Sequence, residues 1–241
     1  MASNPASESL VILDVRGTDD YAAGHVPGSV NVPFTSWWVI RNDLLLELPE
    51  PQALLNLISS AGIKADSRVV IIQKTGTDFD RAAGSRVAWT LIYGGIKNVA
   101  IMNGGFNQWT AEGREVTTIA FIPPYSSYYG ITDNSLVVSK ETVMRKLMHT
   151  TIVNARVPGE YFGVTPVMFA DKPGHIPGAV CLPTPWIFTQ EGFYKDAGVL
   201  ADMAASVVGN HKHGKLSYSA ELADMPLPGG LCCLKCWDTA M

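Results

Sequence analysis

The sequence predicts an α/β fold laid down twice, each copy a mainly parallel sheet flanked by helices, with the second copy incomplete. Three observations carry this expectation. Asp14-Val15-Arg16, Tyr21 and Gly24-His25-Val26-Pro27-Gly28-Ser29-Val30-Asn31-Val32-Pro33 return as Asn154-Ala155-Arg156, Tyr161 and Gly174-His175-Ile176-Pro177-Gly178-Ala179-Val180-Cys181-Leu182-Pro183. The Arg/Tyr blocks lie 140 residues apart and the GH-x-PG blocks 150 apart, so the second copy carries ten extra residues between Tyr161 and Gly174. Ordered self-similarity at the length of a domain marks a duplication. Short runs rich in β-branched residues alternate with helical-period segments, the pattern of a parallel sheet with covering helices. Finally, 241 residues with 47% hydrophobic side chains can bury two medium cores.

The elements follow in chain order. Residues 10–15 form a short apolar run and read as a buried strand, and Val30-Asn31-Val32 reads as another after the Pro27-Gly28 turn. Residues 51–61 place Leu54, Leu55, Leu57, Ile58 and Ala61 at helical spacing before Gly62, which gives an amphipathic helix. Arg-Val-Val-Ile-Ile at 68–72 is the clearest strand, followed by a loop over 73–80 and a helix over 81–93 closed by Gly94-Gly95. Residues 99–102 read as a strand, and Asn103-Gly104-Gly105 turns into a short helix ending near Gly113. The first domain spans 1–118. Residues 119–135, with Pro123-Pro124 and Gly130, read as a linker. The second domain, 136–241, restarts with a helix over 140–148, a strand over 151–154, the repeated block and a helix near 199–208.

Composition excludes several functions. A net charge of −4, from 18 basic and 22 acidic residues without runs, offers no stripe for a nucleic-acid backbone. No apolar run approaches the roughly 20 residues that span a bilayer. Met1-Ala2-Ser3-Asn4-Pro5 has neither a basic nor an apolar leader region, so the chain as written is expected to be cytoplasmic, or periplasmic where a signal peptide has been removed. Cys181 stands alone, and Cys232, Cys233 and Cys236 crowd the last ten residues without the second ligand pair a metal site needs. No metal is expected.

A D-x-R strand end, a Tyr, GH-[VI]-PG, an apolar strand, a loop, a helix and a GG-x-x-x-W segment, in order, resemble the rhodanese domain. Their recurrence over about residues 8–116 and 136–208 resembles the two-domain sulfurtransferases of the thiosulfate and 3-mercaptopyruvate type. The resemblance implies sulfane-sulfur transfer from a small anionic donor to a thiol or cyanide, with no cofactor. It implies a catalytic Cys opening a short loop after the central strand of the second domain. Successive backbone amides and a helix N-terminus stabilise a thiolate and a persulfide in such a loop.

Neither copy supplies that Cys. In the first, residues 69–72 lead into Gln73-Lys74-Thr75-Gly76-Thr77-Asp78-Phe79, so this domain is expected to be silent. Lys74 and Arg81 read as solvated charges there. In the second, the matching strand belongs near Leu216 to Tyr218, followed by Ser219-Ala220-Glu221-Leu222-Ala223-Asp224-Met225-Pro226-Leu227-Pro228, which reads as neither strand, Cys loop nor helix. The tail from about Lys215 reads instead as out of frame. Taking the third base of each codon with the first two of the next, residues 216–218 permit Ile, Val and Leu, Ser219/Ala220 permits Cys and Ala220/Glu221 permits Gly. Met225/Pro226 forces Ala, Cys232/Cys233 and Cys236/Trp237 force Leu, and Trp237/Asp238 forces Gly. The recovered pattern is a strand, a Gly-rich Cys loop and a helix, with the expected Cys lost near Ser219-Ala220.

Among the remaining residues, the resemblance implies that Arg156 contacts the anionic donor, for which a planar, permanently charged guanidinium is suited. Asp14, Arg16, His25 and His175 are expected to hold the repeated corner, because they recur in a copy that lacks the nucleophile. Three functions remain: a sulfurtransferase inactive in this chain, a non-catalytic rhodanese-module binding or regulatory protein, and a phosphatase or arsenate reductase of the same architecture. The short recovered loop, without an Arg for phosphate, disfavours the last.

Overall fold

The computed structural model describes residues 10–42, 44–147, 149–167 and 172–208, together with the backbone of 217–219 and 231–232. The chain divides into two compact units, Met1–Val39 with Leu48–Asp133 and Ile40–Glu47 with Asn134–Met241. No helix among the described residues is long and apolar enough to cross a membrane.

The first unit is built on β1 (Leu10–Asp14), α1 (Thr18–Ala23) and β2 (Val30–Asn31). The chain then forms a short pairing of β3 (Val39–Arg41) with β4 (Leu44–Glu47), whose residues 40–47 count with the second unit, and the first unit resumes with α2 (Pro51–Ser60), β5 (Arg68–Ile72), α3 (Asp78–Tyr93), β6 (Asn98–Ile101) and α4 (Gly105–Ala111). Four parallel strands run in the order β2-β1-β5-β6, with Leu13 opposite Val30 on one side and Ile71 on the other. Residues on both faces of β5 leave water, as a parallel sheet covered by helices requires. Val69, Ile71 and Ile72 are at most 1% exposed. The core adds Leu54 and Ile58 from α2 and Val87 and Leu91 from α3, all fully buried. Gly94, just past α3, lets the chain lie against Ile58, where a side chain would collide.

The observed bounds differ from the sequence-based ones mainly at α3. The helix starts at Asp78, three residues before the expected 81, because Thr77 forms a capping box with Asp80. The loop after β5 is correspondingly short. Residues 119–133, within the linker expected over 119–135, have no helix or strand and are fastened to the first unit. Ser126 N donates to Ser59 O (3.0 Å), Ser126 Oγ to Ile63 O (2.5 Å) and Tyr128 Oη to Gly94 O (2.8 Å).

The second unit carries β7 (Val137–Val138), α5 (Lys140–Lys146), β8 (Ile152–Asn154), α6 (Pro158–Tyr161), β9 (Val180–Cys181), α7 (Ala197–Val208), β10 (Ser217–Ser219) and β11 (Leu231–Cys232). Its parallel sheet has the order β10-β8-β9, and β11 pairs with β7 antiparallel. The strand expected to be lost near 216–218 is therefore present as backbone in β10, at three residues against the five of β5. Ladder hydrogen bonds require no apolar side chain, so the edge of β8 accepts this segment although its sequence is not that of a buried strand.

Candidate active site

The repeated residues build the same corner in each unit. Arg16 Nη2 lies 2.6 Å from Asp14 Oδ2, Arg16 Nε donates to both Asp14 oxygens at 3.0 and 3.1 Å, and Nη2 also donates to Gly24 O (2.9 Å). The guanidinium also lies over the Phe106 ring at 3.6 Å. Arg156 repeats the geometry with a neutral partner. Its backbone N and Nε donate to Asn154 Oδ1 at 3.0 and 3.4 Å, and Nη2 donates to Gly174 O at 2.6 Å. An ion pair in the first unit is thus an amide contact in the second.

The histidines serve the same corner. His25 Nδ1 is 2.8 Å from Tyr21 O with the two rings stacked at 3.6 Å, and His175 Nδ1 is 2.7 Å from Tyr161 O with rings at 3.8 Å. Tyr21 and Tyr161 each donate a hydroxyl to the carbonyl after the Pro-Gly turn, Ser29 O and Ala179 O, at 2.6 Å. His25 is fully buried and its Nε2 lies 3.1 Å from Ile119 O, whereas His175 is exposed. Sequence reasoning singled out the histidines but not the tyrosine stack, since Tyr and His are four residues apart in one copy and 14 in the other.

In the first unit the residue at the end of β5 is Gln73, 2% exposed. Its carbonyl accepts Phe106 N (2.9 Å), and Gly105 at φ 58° permits that approach, because a Cβ there would strike the same carbonyl. Two of the loop amides are engaged within the protein. Thr75 N donates to Asn107 Oδ1 (3.0 Å), and Thr77 N donates to Asp80 Oδ2 (3.0 Å). A carboxylate of the chain itself thus sits where an anion would be cradled at the start of α3. Lys74 pairs with Asp20 at 2.6 Å and Arg81 with Asp78 at 2.9 Å. Asp80 and Asn107 are the residues that sequence reasoning missed here, although the Thr77-x-x-Asp80 spacing is itself a capping signal.

In the second unit β10 lies on β8 in the register that β5 takes on β1. Ser219 is opposite Asn154 as Ile72 is opposite Asp14, and Asn154 holds Asp14's place in the repeat. Ala220, the next residue, follows Ser219 as Gln73 follows Ile72. The expected loss of Cys at Ser219-Ala220 concerns side chains outside the described residues, as does the tail from Lys215 apart from two strand backbones. Cys181 is opposite Asn154 on the other side of β8, and burial pushes its thiol up from its ordinary value while Arg156 pulls it down less strongly. That thiol is not a poised nucleophile.

A family profile described as Rhodanese-like domain matches residues 1–112. SseB of Mycobacterium tuberculosis, named provisionally as a thiosulfate sulfurtransferase, is 30% identical over 209 residues, covering 81% of this chain and 72% of SseB. Thiosulfate sulfurtransferase of Bos taurus is 29% identical over 188 residues, covering 76% of this chain and 63% of the bovine protein. Among solved structures, an anaerobic ergothioneine biosynthesis enzyme from Chlorobium limicola superposes with a TM-score of 0.72 at 19% identity, over 90% of this chain and 56% of that one. The chain thus spans just over half of that solved chain and under two thirds of the bovine enzyme.

Proposed function

Because the chain belongs to the rhodanese family, we propose that it is a two-domain sulfurtransferase whose catalytic loop is lost in this sequence. The working form moves sulfane sulfur from thiosulfate or a related donor. A Cys thiolate attacks the outer sulfur, the S–S bond breaks, and sulfite leaves with the electron pair. A thiol or cyanide then attacks the persulfide sulfur and regenerates the thiolate. First-unit Gln73 cannot carry that sulfur, and neither can Ser219 or Ala220.

The observation that carries the reading is the register of β10. The proposed reading-frame shift from about Lys215 permits Cys at Ser219/Ala220. That position directly follows β10, whose register on β8 matches that of β5 on β1, as Gln73 directly follows β5 in the first unit. The domain limits of 1–118, 119–135 and 136–241 belong to the same proposal. So does the donor-binding role of Arg156, whose planar guanidinium stands beside Asn154 at that sheet end.

The test is to restore the frame near Lys215, supply thiosulfate and cyanide, and measure thiocyanate, with a phosphate ester as control. The restored protein turns over and the present chain does not. Absence of turnover from both favours a non-catalytic binding or regulatory protein built from rhodanese modules. If no single-base shift in the coding DNA yields a Cys-containing strand-loop-helix, the frame proposal fails.

A further inference from the structure

A cavity of about 210 Å³ opens in the first unit at the carboxyl ends of β1 and β5, where parallel α/β sheets receive ligands. Val15, Pro33, Phe34, Phe79 and Ala83 give it apolar walls, and Phe34 meets Phe79 edge to face with centroids 5.6 Å apart. Four of the groups that could hold an oxyanion are already engaged. Arg16 is neutralised by Asp14, Lys74 by Asp20, and the amides of Thr75 and Thr77 by Asn107 and Asp80. Asp80 also lines the cavity. It is held by Thr77 N and the Thr77 hydroxyl and has no basic partner among the described residues. With Arg16 neutralised by Asp14 from outside the cavity and Lys74 by Asp20 within it, Asp80 is left as the lining charge without an oppositely charged side chain.

We propose that this cavity binds a small organic cation, an ammonium group on an apolar body. Aromatic walls and a carboxylate without a cationic side-chain partner both favour positive charge and disfavour the oxyanions that a rhodanese loop takes. A cavity of roughly 150 Å³ accepts benzene, so the volume here suits a ring with an ammonium attached. The Lys74–Asp20 pair at the mouth is exposed by 42% and 40% respectively, so a competing ammonium displaces Lys74 from Asp20 at little cost. The site is independent of sulfur transfer in the second unit and stands or falls without it.

The test titrates the full chain with benzylammonium, benzyl alcohol and benzoate at matched ionic strength, by calorimetry and by amide NMR shifts. Benzylammonium binds about tenfold more tightly than benzyl alcohol, consistent with one cation contact in a desolvated site. Benzoate does not bind, and the shifts centre on residues 15–17 and 74–80. Asp20→Asn, an exposed change, releases Lys74, weakens benzylammonium and admits benzoate. Ala83→Leu fills the cavity and weakens all three. Equal binding of the alcohol and the ammonium, preference for benzoate in the parent chain, shifts elsewhere, an unchanged preference in Asp20→Asn, or no binding overturns the proposal.

Discussion

Asp14 and Arg16 show how one side-chain atom changes a buried corner without changing its shape. The same backbone geometry holds an ion pair in the first unit and an amide contact in the second, with donor distances of 3.0 Å from the backbone N in both. A buried pair is costly to break from one side, because the remaining charge loses its partner. Asp14→Ala is therefore expected to destabilise the first unit by about 3–5 kcal/mol. Asp14→Asn keeps the acceptor that Asn154 supplies to Arg156, and its loss in urea denaturation is expected to be clearly smaller. Equal losses for the two variants would mean that charge, not hydrogen-bond geometry, holds the corner. Cys181 yields a second prediction at this scale. Burial raises its pKa, so at neutral pH the thiol stays protonated and iodoacetamide alkylates it more slowly than a free cysteine. Peptide mapping after timed alkylation checks this, and its rate rises with pH as the thiolate forms. Alkylation of Cys181 as fast as a model thiol at pH 7 would contradict the burial account.

Segment 119–133 acts as an element although it contains no helix or strand. Ser126 and Tyr128 are buried, and the Tyr128 hydroxyl donates to Gly94 O, just past the end of α3. Tyr128→Phe leaves that carbonyl without its donor and is expected to cost about 1 kcal/mol in urea denaturation. The pH dependence has a definite sign. Burial raises the Tyr128 pKa above 10.0, so its neutral form is favoured by folding. Its contribution is complete below pH 10 and declines as pH rises from there through the folded-state pKa. The alkaline loss of stability is therefore smaller in Tyr128→Phe than in the parent; identical alkaline profiles would remove Tyr128 as its source. Elements with a strong period or a dense apolar run were legible in the sequence, and Arg68–Ile72 and the start of α2 at Pro51 stand at the expected residues. Helix α1 has six residues and α6 four, too short to display a 3.6-residue pattern, and both escaped notice. The grip of 119–133 was illegible for another reason. It depends on carbonyls of Ser59, Ile63 and Gly94 that only the folded chain brings within reach. At the site, the silent Gln73 position was legible because it directly follows a clear strand, whereas Asn107 reaches the loop from 32 residues away.

Among the described residues, the two units divide apolar burial unequally. In the first, Leu13, Leu54, Ile58, Ile71, Val87 and Leu91 are sealed from water, and one sheet of four strands holds them together. In the second, α5 and α7 bury no residue fully, even though α7 runs Ala-Gly-Val-Leu-Ala-Asp-Met-Ala-Ala-Ser-Val-Val. A helix this apolar gains stability chiefly by covering a core. Cooperative stability should therefore reside in the first unit, and residues 1–133 expressed alone are expected to fold. The measurement is urea unfolding of that fragment by circular dichroism and tryptophan fluorescence, since Trp37 and Trp89 are both buried in it. One coincident, sigmoidal transition in both signals is the expected result. A fragment comprising 134–241 is expected to unfold without a comparable transition, because its three-strand sheet has few sealed side chains among the described residues. A non-cooperative first fragment, or a second fragment with a transition of equal sharpness, would show that burial in the described residues does not govern where stability lies.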